Sequence, residues 1–107
     1  MEQSNKLIAE FMGHKVNFGF KKDGVLFLGH HIGLDKLKYD SSWDWLMSVV
    51  DKIESLGYEV QIRNTDCIIF QLLDNFKYKP IVDISSENGK MNSTYKAVVE
   101  FIKNQND

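Results

Sequence analysis

The chain has 107 residues, 43% of them apolar and 26% charged, with a net charge of -2. These values describe one compact domain over residues 1–107, with room for a single core, rather than two domains or a disordered segment. Slight acidity argues against a general nucleic-acid binder, whose basic face would show in the balance, and no apolar run approaches the ~20 residues that span a bilayer.

The first element is a short helix over residues 4–12. Leu7, Ile8, Phe11 and Met12 recur at helical spacing, Ser4 could cap the start, and Gly13 stands where a left-handed residue ends a helix. Because it is acidic and polar ahead of its apolar residues, this segment reads as a domain helix and not as a signal peptide. KVNFGF and VLFLGHHI are strand-like, with Val16, Phe18 and Phe20 on one side. KKDG joins them as a hairpin, since Asp-Gly reaches positive φ at little cost. GLDKLKYD has no clean period and reads as a connecting loop.

The stretch SSWDWLMSVVDKIESLG carries a strong helix signal. Ser41, or Ser42 one residue on, can cap it, and Asp44 suits the positive end of the helix dipole. At ~100° per residue, Trp43, Leu46, Val49, Val50, Ile53 and Leu56 share one face, which assigns Trp43 to the core and leaves Trp45 and Met47 on the flanks. Gly57 ends the helix. YEVQIR then alternates as a strand, NTD turns, and CIIFQLL continues as a more buried strand, giving a second hairpin. PIVDIS could add a fifth strand, restricted by its proline to a sheet edge or a strand start. From Met91, Tyr95, Val98, Val99 and Ile102 recur at helical spacing as a closing helix. The expected fold is α+β, a mainly antiparallel four- to five-stranded sheet layered with three helices in the order α-β-β-α-β-β-(β)-α.

SWDWLMSVVDKIE, followed by DCIIFQ and YKAVVEFIK and preceded by NKLIAEFMG, resembles the phage ABA sandwich domain family, small proteins of phages and prophages of gut Bacteroidetes. The likeness runs over most of the chain, in order. The chain departs from the family at Asp40-Ser41, where His-Thr is frequent, at Ser48, where a proline is frequent, and at Asn104-Gln105, in place of Trp-Tyr. The resemblance implies a sheet layered with helices and an accessory role in the cytoplasm of a bacterial host. It brings no catalytic residues to carry over.

Reactive chemistry is sparse. The histidines are His14, His30 and His31, and neighbours on a strand point to opposite faces, so the adjacent pair is badly placed to share a metal. Cys67 is the lone cysteine, cannot form an internal disulfide, and opens an apolar run, which suits a buried thiol in a reducing compartment. Asp51 and Glu54 fit a solvated helix face. No glycine-rich phosphate loop has its strand-loop-helix frame. The expectation is therefore of no enzyme, no metal and no cofactor.

Binding is the better reading. Arg63 is the single arginine beside twelve lysines, and its guanidinium can hold phosphate with two parallel hydrogen bonds. Lys36, Lys38 and Tyr39 lie in the loop before the Trp-rich helix, Trp45 lies on its flank, and His31 lies close before the loop. Cationic groups beside an aromatic ring could hold a nucleotide by phosphate contact and base stacking. The bland alternative is that Arg63 pairs with a nearby acid and Trp45 packs on a sheet edge. With the family resemblance, the expected function is sequestration of a small phosphate-bearing, nucleotide-type immune signal by a homo-oligomer. The alternative is an inhibitor that binds a host defence protein directly. Neither nucleic acid nor a membrane is expected as partner.

Overall fold

A computed structural model describes residues 2–17, 24–27, 30–33 and 36–106. The elements are α1 (Glu2–Phe11), β1 (Lys15–Asn17), β2 (Gly24–Phe27), β3 (His30–Gly33), α2 (Trp43–Ser55), β4 (Tyr58–Ile62), β5 (Asp66–Leu72), β6 (Tyr78–Ser85) and α3 (Lys90–Asn106). The fold is α+β with three helices and antiparallel strand pairing throughout the described sheets. The strands form two three-stranded sheets, β1-β2-β3 and β4-β5-β6, each smaller than the four- to five-stranded sheet expected. The first sheet gains its third strand in VLFLGHHI, which is two strands and not one. Phe27 pairs with His30, and the strands run antiparallel from there through Gly24 and Gly33. Phe18, Phe20 and turn residues 21–23 lie outside the described residues.

α1 begins two residues before the expected start, so Ser4 is an interior helical residue and not its cap. Its end is a Schellman closure. The amide of Gly13, at φ 92°, donates to the Glu10 carbonyl (3.0 Å), and the amide of His14 donates to that of Ala9 (3.0 Å). Lys52, reaching over from α2, donates to the Phe11 carbonyl and places its ammonium 4.9 Å from the centre of the Phe11 ring. A cation thus sits at the negative end of α1.

α2 is capped by Ser42, the second of the two candidates, whose hydroxyl accepts from the Trp45 amide at 3.5 Å. Its buried stripe is Leu46, Val49, Val50 and Ile53, each worth roughly 1.5–3 kcal/mol on burial. The face is shorter than its sequence pattern. Trp43, at the first helical position, is half-buried against the rim of the core, and Leu56, at the C-cap, is 54% exposed. Gly57 ends the helix at φ 99°, a conformation that strains residues with a Cβ.

In the second sheet, Val60, Ile62, Cys67, Ile69, Val82 and Ile84 share the face that packs on the core, with α2 against β4 and α3 against β5 and β6. α1 packs against α3 and also touches β1 and β2. β6 is an edge strand, as its proline requires. Burial along β5 is confined to Cys67, Ile68 and Ile69. Contrary to the expectation of a buried strand to its end, Leu72 and Leu73 are 43% and 40% exposed.

Candidate functional site

The loop between the first sheet and α2 positions the sequence candidates by alternation. Leu37 and Tyr39 are buried, whereas Lys36 and Lys38 face solvent. Tyr39 therefore leaves the cationic side of its own loop and meets Trp45 edge to face, with ring centres 5.1 Å apart. Two turns fix the approach to α2, as the amides of Ser41 and Ser42 both donate to the Lys38 carbonyl (3.1 and 2.9 Å).

The loop is tied down from below by Asn5 of α1, which is 3% exposed. Its side-chain amide donates to the Leu37 carbonyl (3.2 Å) and to the Asp40 carboxylate (3.0 Å), and its oxygen accepts from the Tyr95 hydroxyl of α3 (2.9 Å). One buried side chain thus joins two helices and the loop. Replacing it with leucine, close in volume, strips the Leu37 carbonyl and the Tyr95 hydroxyl of a buried partner. Asn5→Leu should cost about 2–3 kcal/mol in urea unfolding, while a loss within the scatter of surface substitutions would show that the network does not hold the loop.

Above this hub lies a cleft of about 320 Å³ lined by Met12, His14, Tyr39, Asp44, Trp45 and Ser48. Three local structures build it: the Schellman end of α1 delivers Met12 and His14, the loop delivers Tyr39, and the first turns of α2 supply the rest. Burial, and then the neighbouring Lys52 charge, lower the His14 pKa from its ordinary value, so the imidazole is held towards its neutral form. Tyr39 is pushed up to about 12 by desolvation and is un-ionised at neutral pH. Tyr39 is buried beneath, so the aromatic surface the cleft offers is that of Trp45, with an imidazole, a hydroxyl and a carboxylate beside it, a set suited to holding a flat heterocycle.

Arg63 closes β4 at the turn to β5, with its side chain 60% exposed and 3.7 Å from the Asp66 carboxylate, and it donates to Gln61 at 3.4 Å. Its charge is offset locally, as the bland alternative holds, and it is not among the residues lining the Tyr39–Trp45 cleft. His31 pairs with Leu26 in the first sheet, and its side chain lies outside the described residues. Cys67 is fully buried, and desolvation pushes its thiol up to about 11, which opposes formation of a thiolate nucleophile. Among the described residues no group of three His, Cys, Asp or Glu could hold a metal ion, and no helix is long and apolar enough to cross a membrane.

Met12, His14, Asp44 and Ser48 were not singled out as a group by the sequence. A partial signal existed in Gly13, since a Schellman end directs the next side chain back beside its helix, but its neighbour in space belongs to an element some thirty residues on. No protein-family model matches the chain, and neither a curated protein nor a solved structure is similar to it.

Proposed function

We propose that this protein is a non-enzymatic binding protein that takes the base of a nucleotide-type ligand into the Tyr39–Trp45 cleft and keeps it from its receptor unaltered. The observation that carries this reading is part-exposed Trp45 in an open cleft, held edge to face by the buried Tyr39 ring of a loop that Asn5 ties down. Lys36 and Lys38, on the solvent side of the same loop, and Lys52, beside His14, supply positive charge for phosphate. Arg63 has no part in this version of the site. The resemblance to phage accessory proteins is the reason for choosing an immune signal of the bacterial host as ligand, with the host cytoplasm as the place of action. The unaltered fate rests on the sequence, where no nucleophile, base and orienting group fall into a recognisable set.

Calorimetry against cyclic dinucleotides, cyclic trinucleotides and cyclic ADP-ribose isomers tests the reading, with chromatography of the recovered ligand. One ligand should bind at sub-micromolar concentration and return intact. Stacking is worth about 1–3 kcal/mol per base, so Trp45→Ala should weaken binding roughly 5- to 150-fold, with Trp45→Phe recovering part of the loss. Failure of every ligand to bind below micromolar concentration, or equal binding by Trp45→Ala, would reject the cleft. The second reading, direct inhibition of a host defence protein, draws on the exposed apolar side chains Leu72, Leu73, Phe76 and Tyr78.

A further inference from the structure

The ten residues from Gln71 to Pro80 are all exposed. They comprise the far end of β5, the turn and the start of β6, and they form a two-stranded arm that runs beyond the helices. The arm is not polar. Leu72 and Leu73 are 43% and 40% exposed, Tyr78 is 50% exposed, and Phe76 at the tip is 87% exposed. Phe76 is also the one described residue other than glycine at positive φ, 62°, where a bulky side chain is strained. A strained phenylalanine held out into water by a hydrogen-bonded turn, through its amide to the Leu73 carbonyl (3.0 Å) and the Leu73 amide to the Lys77 carbonyl (2.7 Å), costs the monomer twice and gains it nothing.

We infer that the arm is a self-association surface, on which Phe76 of each chain inserts into the arm of a second copy. The receiving feature is present in the same arm. Gln71, Leu72, Leu73, Asp74 and Asn75 border a shallow, open depression against which a ring could lie. A knob and a receiving surface on one element are what a two-fold contact needs, because each copy then gives and receives the same group. Charge agrees with this pairing. Lys77 adjoins the inserting ring and Asp74 borders the depression, so insertion brings Lys77 of each copy towards Asp74 of the other.

The mode of contact is also constrained. In the β5–β6 ladder Leu73 and Lys77 are hydrogen-bonded, and the register runs back through Leu72↔Tyr78 and Gln71↔Lys79 to Phe70↔Pro80. Antiparallel pairs alternate, so position 80 belongs to the class whose amide would point outward from the edge. Pro80 has no amide hydrogen, which interrupts the outer edge of β6 where a partner strand would add. Packing through side chains remains, with no continuous sheet across the dimer. Successive strand residues face opposite sides, so Leu72 and Tyr78 share one face of the arm and Leu73 lies on the other. With Phe76, the Leu72–Tyr78 face offers on the order of 400 Å² per copy, and a pair about 800 Å², in the range of weak, transient contacts. The dimer is accordingly a concentration-dependent one. The arm leaves the sheet beside the C-terminal end of α2, with Gln71 paired to Tyr58, whereas the cleft uses the first turns of that helix. The inference does not rest on the ligand reading, and each can fail alone.

Sedimentation equilibrium of the full chain, from about 10 µM to about 1 mM, tests it. The weight-average mass should rise from 12.4 kDa towards twice that value. Phe76→Gly should remain monomeric over the whole range, yet melt at the same temperature or higher in dilute solution, because glycine relieves the backbone at φ 62°. Leu72→Asp should likewise abolish the rise while leaving the circular dichroism of the monomer unchanged. A wild-type chain that stays monomeric throughout overturns the inference and returns the arm to a heterologous partner. So does a dimer that survives Phe76→Gly and Leu72→Asp.

Discussion

Phe101→Ala should destabilise the protein by about 3–5 kcal/mol, the largest effect expected of any single substitution. Phe101 is fully buried in α3. Its ring meets Phe11 of α1 edge to face at 6.1 Å and Tyr58 of β4 at 4.8 Å, so one side chain holds a helix and the second sheet against the closing helix. Truncation removes both aromatic contacts and opens a cavity that three separately anchored elements cannot close together. Domains of this length hold about 5–15 kcal/mol in total, so the variant should show a urea midpoint reduced by about a fifth or more, or fail to fold at working temperature. Near-wild-type unfolding would mean that α1 and β4 are not coupled through this ring. Trp43→Ala should cost less, because Trp43 is half-buried at the rim.

The protein should also unfold in alkali. Desolvation pushes Tyr39 and Tyr95 up from 10.0 to about 12 and Cys67 up from 9.0 to about 11, with hydrogen bonds to Ser4 and Thr94 partly opposing the rise at Tyr95 and Cys67. All three groups are neutral in the folded chain and ionise more readily once exposed. Stability from each is complete below its unfolded pKa and disappears as pH climbs through its folded value. That sets windows of pH 9–11 for Cys67 and pH 10–12 for the tyrosines. Two units correspond to roughly 2–3 kcal/mol per group, so the three together rival the stability of the domain. Circular dichroism should be lost between pH 10 and 12 together with the rise in tyrosinate absorbance that belongs to Tyr39 and Tyr95, isolated by difference against Tyr39→Phe and Tyr95→Phe chains. Tyr39→Phe keeps the ring and removes one ionisation, and should move the loss to higher pH. Titration of Tyr39 and Tyr95 near pH 10 in a chain that stays folded would contradict this account.

Much of the architecture was legible in local pattern. The 3.6-residue period of Leu46, Val49, Val50 and Ile53 and the glycines at 13 and 57 mark helix faces and ends through interactions within one turn, and the structure retains them. Alternation in YEVQIR and the edge preference of Pro80 likewise follow from backbone chemistry, which acts over a few residues. Helix capping was legible only to within a residue, because Ser41 and Ser42 offer the same hydroxyl and the turn at Lys38 selects the second.

What the tertiary structure decided involves groups far apart along the chain. Asn5 carries no signal in a polar helix start, yet it is the buried hub between the Leu37 carbonyl and the Tyr95 hydroxyl, 32 and 90 positions away. The Lys36-Lys38-Tyr39 cluster read as one cationic and aromatic group. Packing divided it, since burying Leu37 and Tyr39 turns the intervening lysines to solvent. Arg63 and Trp45 looked like partners by chemistry, yet Arg63 is not among the residues lining the cleft and its guanidinium lies 3.7 Å from Asp66, three residues on. The exposed end of β5 was hidden for the converse reason. Leu72 and Leu73 continue an apolar run, and composition cannot show where the helices that cover its earlier residues stop. Sequence determined the elements because their forces are local; packing determined which side chains meet, because burial depends on what arrives from elsewhere in the chain.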